Sequence, residues 1–134
     1  MADGPAIEHA DVQAAFEAYP DNIKRILLGV RFLIFETAAG LETVGEIEEC
    51  LKWGQPSYLT VRPKTSTTVR LGMSGGTPAV FVHCQTNLIE QFKAHYPEAF
   101  SYEGKRALLL PGDGVYDRKA LAHCLAMALT YHVT

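Results

Sequence analysis

The chain has no apolar run approaching a membrane span, and its acidic N-terminus has no apolar core of signal-peptide length. It reads as a cytoplasmic protein with no membrane partner. Nor is there a basic surplus: 12 Lys and Arg face 15 Asp and Glu, a net charge of −3, which leaves no footprint for broad nucleic-acid binding. Cysteine is scarce. Cys50, Cys84 and Cys124 have no CxxC or metal-finger spacing, and an odd number beside apolar residues reads as reduced thiols serving as small core side chains. The histidines are dispersed, and His123 and His132 are too far apart on a helix to face each other. No repeat, low-complexity run or linker divides the chain, and no motif calls for a cofactor.

What is present fits one domain: 134 residues, 48% hydrophobic and 20% charged, enough to bury a core without staples. The charge is uneven. Residues 1–50 hold 3 Lys and Arg against 10 Asp and Glu, whereas residues 51–134 hold 9 against 5. An acidic helical layer beside a more basic sheet accounts for that division.

Residues 1–8 read as a loose tail. A short helix follows, with Val12, Ala15, Phe16 and Tyr19 on one stripe, ended by Pro20. Over 22–38 the apolar positions Ile23, Ile26, Leu27, Val30, Leu33 and Ile34 keep a helical period, and Gly40 is a natural stop. Lys24, Arg25, Arg31 and Glu36 lie largely off that stripe and read as a solvated face. Strands are expected from Glu46 into Trp53, then over Ser57–Val61, Thr67–Leu71 and Ala79–Cys84, with Ser74–Pro78 a turn. Thr86 caps a helix that ends near Tyr96-Pro97. A hairpin over residues 100–110 follows, and Asp117 caps a last helix over 118–131 that runs almost to Thr134. Runs of strands with helices gathered on one face make an α+β two-layer sandwich, its sheet mostly antiparallel.

The stretch Leu51-Lys52-Trp53-Gly54-Gln55-Pro56-Ser57-Tyr58 holds the only tryptophan. Glycine and proline there predict a sharp bend, with Trp53 largely buried and Tyr58 at the rim of the uncovered sheet face. Together with Phe81-Val82-His83-Cys84-Gln85 and Glu103-Gly104-Lys105-Arg106-Ala107-Leu108-Leu109, the segment Lys52–Tyr58 resembles the YdhG-like family, also catalogued as domain of unknown function 1801. The resemblance implies a small two-layer α+β domain and no established catalytic set. It also implies, through relatives discussed as frataxin-like iron chaperones, an alternative of iron handling by the acidic segment Glu36, Glu42, Glu46, Glu48 and Glu49.

Gly72–Gly76 lies between two strands and has no helix behind it to hold phosphate, so it reads as a hairpin loop. Strand alternation sends Val80, Val82 and Cys84 to one face and Ala79, Phe81 and His83 to the other. This separates His83 from Cys84 and argues against a Cys-His dyad. Val69 and Leu71 separate likewise from Thr68 and Arg70. The second face is then a candidate site built from Trp53, Tyr58, Arg70, Phe81 and His83. It would take a small molecule, a partner protein or a second copy of the chain as a homodimer. No residue is assigned to catalysis or to a metal.

Overall fold

The computed structural model describes residues 5–133, so the first half of the expected tail lies outside the described residues, as does Thr134. Beyond it Ile7 already packs against the core. The periodic stripe after Pro20 forms a 19-residue helix, α2 (Asp21–Ala39), preceded by α1 (Ala10–Glu17). The expected run of strands follows as β1 (Glu46–Lys52), β2 (Gln55–Val61), β3 (Val69–Ser74) and β4 (Thr77–Phe81). Then come α3 (Leu88–His95), β5 (Ser101–Glu103), β6 (Ala107–Leu109) and α4 (Arg118–Leu129). The Asp117 carboxylate accepts from the Ala120 N–H and starts α4 as expected. That helix stops at Leu129, short of the predicted end.

The sheet has the order β1-β2-β3-β4-β6-β5, and every pair is antiparallel. It is the expected α+β sandwich, because period-2 alternation gives the sheet one strongly apolar face. Tyr58, Val69, Leu71, Val80 and Leu108 share a core with Phe16, Leu27, Val30, Ile34, Phe92, Leu121 and Leu125 from the helices. Fully burying one such aliphatic side chain contributes about 1.5–3 kcal/mol. On the opposite face the buried apolar group among the described residues is small, Ala79, Phe81 and Ala107 with Leu109 against them.

Two expectations fail on the helix-covered side. Arg31, read as part of a solvated face, is 1% exposed, and Glu49, read as part of the acidic segment, is buried with it. The register explains the pairing. Glu49 lies opposite Tyr58 across β1 and β2, both beneath α2. The Arg31 Nε and Nη2 donate to the two Glu49 oxygens at 2.5 and 3.0 Å, and the Tyr58 hydroxyl donates to Glu49 Oε2 at 2.6 Å. A long polar side chain on the edge of an apolar stripe looks solvated until its partner's register is known.

The loop between β2 and β3 is stitched to the far end of α4. Thr67 N–H donates to the Ala128 carbonyl at 3.2 Å, the Thr65 hydroxyl to Leu129 at 2.9 Å, and His132 N–H back to Thr65 at 2.7 Å.

Candidate functional site

The turn joining β1 to β2 sets the geometry of the uncovered face. Lys52 pairs with Gln55, leaving Trp53 and Gly54 as a two-residue hairpin turn with φ of 56° and 74°. Positive φ at both central positions is the type I′ pattern, whose twist matches the flanking strands. It carries Trp53 out to the tip, 86% exposed, which overturns the expectation of a buried indole. Pro56 does not bend the chain. It lies inside β2 opposite Leu51.

Moving the turn back also fixes the parity of β2. Gln55 and Ser57 face the uncovered side, while Tyr58 turns inward to Glu49 and to the Phe35 ring, 6.0 Å away and edge-on. Tyr58 is 0% exposed and forms no part of the site, contrary to its expected place at the rim. Burial first, then the bond to Glu49, pushes its hydroxyl pKa far above the ordinary tyrosine value.

The floor of the uncovered face is made of small side chains. Ser57 and Arg70 are cross-strand partners, as are Arg70 and Phe81, and Gly72 and Ala79. Gly72 is there for close approach: a Cβ on it would come 2.5 Å from Gln55 Nε2 and 3.3 Å from Phe81 Cε2. The Gln55 amide and the Phe81 ring therefore lie low over the sheet.

Above this floor is a cavity of about 590 Å³ lined by Trp53, Gln55, Arg70, Phe81, His83 and Arg106, with Cys84, Ser74 and Glu103 also on its wall. Four of the five expected site residues meet here; Tyr58 does not. Cys84 was expected to point into the core behind His83. Strand β4 instead ends at Phe81, and Cys84 is exposed on the wall beside His83. Of the three thiols only Cys124 is a buried core side chain.

The cavity is rich in hydrogen-bond donors. Arg70 Nε is shielded from water yet has no hydrogen-bond partner. His83 Nδ1 accepts from the Gln85 N–H at 3.1 Å, so in the neutral ring Nε2 carries the proton. Glu103, the carboxylate on the wall, accepts from the Ser74 hydroxyl at 2.6 Å. Arg106 and Gln55 were not singled out from sequence. Arg106 reaches the site because Phe81 pairs with Ala107 and Val82 N–H donates to the Arg106 carbonyl at 2.8 Å, which sets Arg106 beside His83.

The acidic segment is not gathered in the same way. Glu36 pairs with Arg118 and Glu46 with Arg62, each at 3.0 Å, and Glu49 is held by Arg31 and Tyr58. Among the described residues no three His, Cys, Asp or Glu side chains converge as a metal site. Among them, too, no helix is long and apolar enough to cross a membrane. No family model, no curated protein and no solved structure matches this chain.

Proposed function

We propose that this chain is a YdhG-like domain that binds a small molecule on the uncovered face of its sheet and carries out no reaction there. One observation carries this reading: Trp53, Arg70, Phe81 and His83, drawn from three separate strand ends, converge on one cavity of about 590 Å³. That volume lies in the range of small-molecule sites, and an apolar floor with a few placed polar groups is their usual composition. The conformation of Trp53 supports it as well. An aromatic residue at positive φ with its ring in water gains nothing from packing, and such residues gather at ligand clamps. Three free thiols support a reducing, cytoplasmic setting.

The test is a thermal-shift screen of metabolite-sized molecules against the full chain. A ligand of this site raises the melting temperature of the parent protein and leaves that of Arg70→Ala and His83→Ala unmoved, since only binding to the folded state adds stability. Hits whose shifts survive in both variants bind elsewhere and would sink the reading. Self-association that masks the face shows itself as a ligand response that fades as protein concentration rises.

A further inference from the structure

We infer that the ligand of this face is a planar organic anion, with its carboxylate or phosphate on Arg70, Arg106 and His83 and its ring against Trp53 and Phe81. The inference rests on the binding reading above and adds the chemical class of the ligand.

Charge comes first. Two guanidiniums line the cavity against a single carboxylate, and that carboxylate, Glu103, is already bonded to Ser74. Most of the polar groups left over can donate: Arg70 Nε, the Arg106 guanidinium, His83 Nε2 and the Gln55 amide nitrogen, against the Gln55 amide oxygen and the second Glu103 oxygen as acceptors. A site in which cationic donors outnumber acceptors favours a ligand that accepts. The surplus also follows from the chain, since the half beyond residue 50 holds 9 Lys and Arg against 5 Asp and Glu.

Arg70 narrows the choice. Its Nε is shut off from water and bonds to nothing, which is costly unless a ligand completes it. Nε and one Nη of a guanidinium form a side-on fork that matches two oxygens of a carboxylate or phosphate, a match that a hydroxyl or an ammonium cannot make. Arg70 stands near the start of β3, paired with Ser57 on one side and Phe81 on the other, so its side chain leaves the sheet next to Phe81 on the uncovered face. Phe81 is 8% exposed and offers an apolar wall, while the Trp53 indole stands free at the hairpin tip on the same cavity. Oxyanion and flat apolar body are thus recognised side by side.

Trp53 is the only tryptophan, so its emission reports on the site directly. The full chain is titrated with benzoate, phenyl phosphate, benzyl alcohol and benzylamine at constant ionic strength, following emission and, in parallel, heat by calorimetry. Benzoate or phenyl phosphate is expected to bind about ten-fold or more tightly than benzyl alcohol, with benzylamine giving no response. Whichever of the two is tighter separates carboxylate from phosphate. Arg70→Gln and Arg106→Gln should each reduce the anion to the level of the alcohol while the melting temperature holds. Arg70→Lys, which keeps charge but loses the fork, should fail to restore it. Equal binding of alcohol and anions, indifferent to the arginine variants, keeps the small-molecule site and overturns the anion. Heat without any change in emission overturns the place of the ring against Trp53. Silence from all four at about 10 mM, weaker than any useful affinity, removes the small-molecule reading and this inference with it.

Discussion

Two arginines lie on opposite faces of the same sheet and live opposite lives. Arg31, on α2 above the covered face, donates to both oxygens of Glu49 and lies 5.0 Å from the centre of the Phe35 ring. Glu49 also accepts from Tyr58. Burial works against the Arg31 charge, but the bonds to Glu49 and Tyr58 outweigh it and hold the guanidinium above its ordinary pKa. Arg70, on β3 facing the other way, also sits beside an aromatic ring, and its Nε is as dry, yet it has no partner. A completed buried network specifies a fold, whereas an incomplete one leaves specific bonding capacity to be used. The difference separates structure from function without reference to the residue type.

The largest expected effect tests that separation head-on. Arg31→Ala strands the Glu49 carboxylate in the core and should cost about 3–5 kcal/mol, a large part of a small domain's stability. Arg70→Ala removes an unpaired group and should change stability by no more than about 1 kcal/mol. Urea unfolding of the two variants decides it, and comparable losses would break the comparison.

A smaller, graded effect comes from alkali and belongs mainly to the covered side. Burial pushes the Cys124 thiol up to about 12 and is also the main reason that Tyr102 rises to about 12; Tyr58 rises further. Each is an acid kept protonated by the fold, with ordinary values of 9.0 for the thiol and 10.0 for the phenols. Above those values the unfolded chain releases protons that the folded chain retains. The stability is therefore fully present below about pH 9 and drains away as pH rises further. Melting temperatures should stay level up to about pH 8.5 and fall by pH 10.5, with a shallower fall in Tyr58→Phe. A curve that stays level through that range would show these groups to be far less shielded than their positions imply.

The smallest effect has the opposite sign. An L residue at left-handed φ costs about 1–2 kcal/mol, and asparagine is far better suited than tryptophan to the first position of a type I′ turn. Trp53→Asn should raise stability by about 1 kcal/mol in unfolding followed by circular dichroism. If stability falls instead, the indole supports the hairpin and the two faces are less different than they look.

The layer order was legible because it depends on period. Val69 against Arg70, and Val80 against Ala79 and Phe81, divide between the faces as alternation requires. Arg70 and Phe81 reached the candidate site for the same reason, whereas His83 lies beyond the end of β4. What was not legible depends on register. The Trp53-Gly54 turn lacks the Asn-Gly signature, so the bend is expected one residue late, over Gly54-Gln55-Pro56, and both Trp53 and Tyr58 are assigned to the wrong surroundings. Arg31 and Glu49 are 18 positions apart, and nothing local announces that they bond. Arg106 joins the site only through the pairing of β4 with β6, which skips over α3 and β5.

The stitching of the β2–β3 loop to the end of α4 has a consequence in time. Thr65 and Thr67 find their partners 64 and 61 positions later, at Leu129 and Ala128. The hairpins of the meander close over short loops and form early, whereas contacts of this separation close late. On a ribosome α1 and α2 are already available to cover the sheet, but the β2–β3 loop must wait for its partners until the last helix emerges. Until then the loop and the apolar face of α2 that α4 covers stay open, and it is in that interval that such surface is exposed to misassembly.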